Sequence, residues 1–215
     1  MAEDAARRRT QRWPASVALL ACALFYVVLT NRLVVGPRWL LPVLIVLPIV
    51  PLEWHHYRKV NPSPWARCLA LGLLALISAA NIGSMGLLVH RLLVAHVSQG
   101  RALVYSAVVV WLTNITVSGL WFWEVDRGGP TVRGSAKEPL PDLQFPQMEN
   151  PNLAPKSWLP QFSDYLYSAF ANGTSFAPAD AMPLSGRMKL LFTVEAVVSL
   201  VTIAIVAARA VNILN

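Results

Sequence analysis

Apolar residues along this chain gather into long blocks broken by short polar turns, without the alternation of a half-buried strand. Crossing a bilayer takes about 20 predominantly apolar residues in a helix. Five blocks meet or approach that length: Ala15–Val35, Trp39–Trp54, Ala66–Leu93, Arg101–Trp123 and Gly186–Leu214. Pro14 suits the first turn of the first of them. Trp39–Trp54 is shorter and carries Pro42, Pro48 and Pro51, so it is a kinked span or a re-entrant piece, and the span is the preferred reading. Ser163–Ala171 is amphipathic and too short to cross. The pattern therefore predicts an all-α, polytopic helical membrane protein with about five transmembrane helices and one short additional helix. It divides into a charged lead (1–13), a four-helix transmembrane region (14–123), a polar, proline-rich loop (124–160) and a last unit (161–215). The loop is too long and polar to be embedded, and is expected to fold over one mouth of the bundle.

Composition agrees. Of 215 residues, 55% are hydrophobic and 13% charged, against about 25% charged in a soluble domain, and mean hydropathy is +0.49. The net charge of +7 comes without a basic face interleaved with aromatics, so no nucleic-acid partner is expected. Arg7, Arg8, Arg9 and Arg12 precede the first apolar block, which places the N-terminus in the cytoplasm. The apolar run continues through Val28, past Cys22, so the segment is expected to be an uncleaved first span. Cys22 and Cys68 have no Cys or His at metal spacing and are read as small packing residues.

Little else resembles chemistry. His55 and His56 are adjacent and point about 100° apart on a helix, and with Tyr57, Arg58 and Lys59 they suit headgroup contact. His90 and His96 do not share a helical face. Asn114-Ile115-Thr116 and Asn172-Gly173-Thr174 match the glycosylation sequon by chance. No nucleophile–base set and no phosphate loop is visible, so neither enzyme activity, nor metal, nor cofactor is expected. Trp121 and Trp123 mark a membrane interface, after which Glu124, Asp126 and Arg127 open the loop and Gly128-Gly129-Pro130 turns it. These charges terminate the helix or form an ion-pair cluster that docks the loop. Glu195 lies about two turns into the last span, where a carboxylate is expensive. It is expected to face the bundle interior, pair with a donor or carry a proton. Candidate partners are the Thr174 and Ser175 hydroxyls, a backbone amide of the preceding loop, and Arg187. Its role is support of that loop, or proton or cation handling.

From Asp164 to Asn212 the chain resembles the pore module of two-transmembrane potassium channels. Asp164, Leu166, Tyr167 and Phe170 match that family's pore helix; Thr174 and Ser175 match two filter threonines, and Asp180 the closing aspartate. Pro183, Gly186-Arg187 and Glu195 follow in the family's order. The resemblance implies a re-entrant pore helix with Asn172, Thr174, Ser175 and Asp180 along the pore loop, supported by Tyr167, Phe170, Arg187 and Glu195. It also implies a homo-oligomer, a tetramer by analogy, and a monovalent cation as the species carried. The filter departs: Phe176-Ala177-Pro178-Ala179 stand where V-G-Y-G would be. Stacked carbonyl rings need glycine's backbone freedom, so a potassium-selective filter is not expected. Trp121–Pro130, Asp142–Gln147 and Tyr165–Asp180 also resemble motifs shared by a group of uncharacterised bacterial membrane proteins, which implies an inner-membrane location and no particular activity.

Five crossings from a cytoplasmic N-terminus put 124–185 in the cytoplasm, whereas a potassium-channel pore loop enters from outside. The unit is then inverted, as in ionotropic glutamate receptors, or 39–54 does not cross. The expected function is weak or nonselective cation conduction; the alternative is a non-conducting scaffold that binds a partner or lipid.

Overall fold

The computed structural model describes residues 13–29, 33–34, 36–58, 64–94, 100–150, 152–155, 158–178 and 180–214. The N-terminal arginines, Asn31–Arg32, Lys59, His96 and Ala179 lie outside the described residues, as do the side chains of His55, His56, Tyr57 and Arg58. The helices are α1 (Trp13–Val28), α2 (Leu40–Arg58), α3 (Pro64–Val94), α4 (Gly100–Val125), a short α5 (Pro146–Glu149), α6 (Phe162–Ser175) and α7 (Gly186–Leu214). Leu143–Gln144 (β1) and Met182–Pro183 (β2) form an antiparallel pair, Leu143 facing Pro183.

Among the described residues, three helices are long and apolar enough to cross a bilayer, over Pro64–Leu92, Ala102–Gly128 and Gly186–Ala208. The other two blocks form helices that fall short of a span by length or by apolar composition. α1 has 16 residues and stops at Val28, just before the polar Thr30-Asn31-Arg32, rather than continuing to Val35. α2 is helical through its prolines to Arg58, and its described apolar stretch, Leu40–Ile49, is too short to cross by itself. Pro48 and Pro51 withdraw amides from the helix ladder there.

α4 is the hub, packing against α1, α3, α6 and α7. Its span is 61% buried, against 33% for each of the other two. At one end, Ala15 and Leu19 of α1, Ile49 of α2, and Ala70 and Leu73 of α3 surround Leu120 and Trp123 of α4. At the other end, Leu29 and Leu33 meet Leu88 of α3, Ala107 and Val110 of α4, and Ile205 of α7. The first four helices therefore alternate in direction, and the end holding Trp123 also holds the long loop.

α6 begins at that loop end, where Phe162 packs edge-on against Trp123 with centroids 5.9 Å apart. It finishes deep beside α4, where Phe170 meets Trp111 at 6.1 Å and the Trp111 indole donates to the Gly173 carbonyl at 3.3 Å. Gly119 permits the approach, since a Cβ there would lie 3.1 Å from Leu166 Cα. After Phe176 the chain returns to the loop end through β2, and α7 then runs parallel to α6.

Trp121 and Trp123 are drawn into the bundle to different extents, Trp121 half-buried and Trp123 buried. Trp121 donates to Ser78 Oγ at 2.9 Å. Trp123 lies on an α4 face that its neighbours cover, so there the burial of the hub helix overrides the aromatic-belt reading. The exposed belt is Trp13 and Trp65 at the loop end, and Trp39 and Tyr105 at the other.

After α4 the chain turns through Arg127, Gly128 and Gly129, all at positive φ (53°, 79° and 94°). A Cβ on Gly129 would sit 2.9 Å from the Glu124 carbonyl oxygen, a backbone atom that cannot swing aside. Gly129→Ala is expected to cost about 1–3 kcal/mol from left-handed strain and crowding. It should lower the thermal midpoint in detergent. Gly72→Ala, on α3 with nothing within 4 Å, should be neutral or stabilising by up to about 1 kcal/mol. Equal effects would disprove the turn's role.

Candidate functional site

Two polar clusters lie along α6, one at each end. The outer cluster forms around Asp126, which is fully buried. Its Oδ1 accepts the backbone amides of Asp142 (2.8 Å) and Leu143 (3.2 Å), and its Oδ2 accepts the Tyr165 hydroxyl at 2.5 Å. Arg133 faces the same carboxylate at 3.8 Å, donates to the Trp123 carbonyl at 2.6 Å and stacks over the Tyr165 ring at 4.8 Å. Burial first, and the Asp126 charge with it, raises the Tyr165 phenol well above its ordinary value despite the opposing arginines, so it stays a donor. Arg127 pairs with Glu138 at 2.6 Å. Arg67 of α3 donates to the Gly128 carbonyl.

Asp142 passes the connection to α7. Arg187 donates to both its oxygens, Nε to Oδ1 at 2.8 Å and Nη2 to Oδ2 at 2.6 Å, and Leu184 N–H donates to its carbonyl at 2.8 Å. Trp123, Glu124, Asp126 and Arg127 thus belong to one docking cluster, Glu124 buried on the rim of the cleft that α1 and α3 line. Arg133, Asp142 and Tyr165 complete it. Nothing in their spacing marked the three as partners, because they are brought together only by the loop's fold.

The inner cluster lies where α4, α6 and α7 meet. Glu195, Ser199, Asn172 and Asn114 are all buried. Asn172 Nδ2 donates to Glu195 Oε2 and to the Phe192 carbonyl, each at 3.0 Å. Asn114 Nδ2 donates to the Glu195 carbonyl and to Ser199 Oγ, also at 3.0 Å. Glu195 Oε1 has no hydrogen-bond partner. Glu195 does face the interior, but its partner is Asn172. The Thr174 hydroxyl bonds the Phe170 and Ala171 carbonyls, and that of Ser175 the Ala171 carbonyl. Arg187 is engaged by Asp142. Helix α6 continues through both residues, so their hydroxyls turn back onto its own ladder.

From Thr174 to Pro178 and at Asp180 the chain is exposed, as are Tyr167 and Phe170 on the same side of α6. Phe176, not a residue at a filter-glycine position, takes the left-handed conformation (φ 56°), and it caps α6 by donating its amide to the Asn172 carbonyl at 2.9 Å.

Two outcomes follow. For Asp142, burial alone would raise the carboxyl, but the hydrogen bonds from Arg187 and Ser185 outweigh it and hold the group below its ordinary value. A depressed carboxyl contributes stability above its unfolded value of about 3.9, and loses it as pH falls through the folded one. Acid should therefore release the loop from α7, read as faster proteolysis of 124–160 below about pH 4; Arg187→Gln should make cleavage fast at neutral pH too. In the inner cluster, a Cβ on Gly173 would meet Ile115 Cγ1 and Ser199 Oγ, each at 3.1 Å. Gly173→Ala should destabilise by about 1–3 kcal/mol through overpacking, read as a lower unfolding midpoint in detergent; an unchanged midpoint would mean α6 is not held against α7.

No family model, curated protein or solved structure matches this chain.

Proposed function

We propose that this is a multi-pass protein of the bacterial inner membrane whose α6–loop–α7 unit is a re-entrant pore module. Copies of the chain assemble it around a common axis, as a tetramer by analogy, and monovalent cations pass weakly and without selectivity. The observation that carries the reading is the path of α6. It starts at the loop end, stops beside the middle of α7, and the chain returns to the end it came from. Ten residues separate Ser175 from Gly186, enough at about 3.3 Å each to climb back.

Several features support the details. Residues 174–178 and Asp180 face away from their own protomer, where copies would meet, and Asp180 brings a carboxylate that attracts cations. α1 runs beside α4 between the two aromatic belts, which favours its crossing; α2, antiparallel to it, makes five crossings. With the arginines 7–9 and 12 in the cytoplasm, the loop is cytoplasmic and the module enters from that side. The missing glycines and the self-bonded Thr174 and Ser175 hydroxyls argue against a potassium-selective ring of oxygens.

Those same self-bonded hydroxyls favour the second reading, a non-conducting scaffold that binds a partner or lipid through its docked loop. Cation flux into proteoliposomes separates the two. Conduction predicts flux above that of empty vesicles, similar for lithium, sodium, potassium and rubidium, and reduced several-fold by Asp180→Asn. Flux equal to empty vesicles under every gradient and voltage would leave only the scaffold.

A further inference from the structure

Glu195 Oε1 is the one carboxylate oxygen among the described buried side chains that has no hydrogen-bond partner. The residue is only 1% exposed and sits inside a span, where an uncompensated charge is not tolerated. Among the described residues its surroundings offer no counter-charge. Asn114 and Ile115 approach from α4, Asn172 and Gly173 from α6, and Ser199 from its own helix. The titratable groups of these elements lie at least one full turn along each helix from those residues. Among the described side chains they are Tyr105 and Glu124 on α4, Asp164, Tyr165 and Tyr167 on α6, and Arg187 and Lys189 on α7. On α3, which also packs on α7, Arg67, Cys68, His90 and Arg91 sit toward the ends.

We infer that Glu195 is a proton-binding site that sets the position of the C-terminal end of α6. The proton resides on Oε1, and Oε2 accepts from Asn172. This division matches the geometry, in which one oxygen is an acceptor and the other has none of the donors a carboxylate requires. When the proton leaves for solvent, the negative charge needs a new donor. Ser199 supplies it: its Oγ accepts from Asn114 and its hydroxyl hydrogen is uncommitted among the described residues. Glu195 Oε1 and Ser199 Oγ both face Gly173, at 3.5 and 3.1 Å from where its Cβ would be. A Ser199-to-Oε1 bond therefore closes across Gly173 and displaces the end of α6, with Thr174 and Ser175 attached. Proton loss is thereby transmitted to the exposed residues 174–178 that follow, whether or not ions pass along them.

Infrared spectroscopy of the purified full chain tests the first step. At neutral pH a protonated-carboxyl stretch that shifts in deuterium oxide is expected, and it should vanish in Glu195→Gln. A spectrum without that band, or one that Glu195→Gln leaves intact, overturns the site. Labelling tests the coupling, using Thr174→Cys in a Cys68→Ser background. The rate, corrected for the reagent's own pH dependence, should change several-fold from neutral to alkaline pH and be flat when Glu195→Gln is added. Ser199→Ala should move the transition to higher pH while leaving the infrared band in place. A corrected rate that is flat with Glu195 present overturns the coupling. Neither readout involves ion flux, so failure here and failure of the conducting reading are distinguishable.

Discussion

A single buried carboxylate ties the loop end of this bundle together. Asp126 stands where α4 ends, and its two oxygens gather the Tyr165 hydroxyl, two loop amides and the Arg133 guanidinium. Those donors come from α6 and from both limbs of the loop, so one charge fixes three segments far apart in sequence. Removing one partner of such a buried set costs about 3–5 kcal/mol, because the remaining groups cannot be rehydrated. The constraint extends to α7 through Asp142, whose amide Asp126 holds and whose carboxylate grips Arg187. Without Asp126, the start of α6 and the start of α7 would have no common anchor, and the intervening chain would lose its defined return path.

That anchor explains why some elements were legible in the sequence and others were not. Helix α7 runs Gly186–Leu214, as its apolar block predicts, because an uninterrupted run bounded by a polar turn needs no tertiary context. The interior placement of Glu195 was legible for a similar reason: a charge inside an apolar helix has few places to go. The identity of its partner was not, since Asn172, Thr174 and Ser175 lie within one turn and differ only in which face of α6 meets α7. Helix continuation decided the matter by turning the two hydroxyls back toward their own carbonyls.

Trp121 and Trp123 show a converse difficulty. Tryptophan near the end of an apolar helix is normally interfacial, but α4 is surrounded by four other helices, leaving its end little lipid to face. Periodicity within a single helix does not reveal how many neighbours it has. Trp13 and Trp65, on less enclosed helices, and Trp39, just before α2, are exposed. α1 falls short of its block because apolar composition does not require helix, and Thr30-Asn31-Arg32 interrupts it.

The segment 174–180 takes its character from the capping of α6. A filter built from stacked carbonyls would require the backbone to leave the helix before Thr174, with glycine where alternate residues take left-handed angles. Here the helix persists through Ser175, and the left-handed residue that follows, Phe176, serves to end it. Neither Ala177 nor Pro178 has positive φ. Alanine at 177 is therefore unstrained, and the absence of glycine is consistent with the backbone this chain adopts. α6 and the chain that follows it are held at the loop end by Asp126 and at depth by Asn172 and Glu195. The exposed surface beyond the helix presents side chains and the Asp180 carboxylate instead of stacked carbonyl rings.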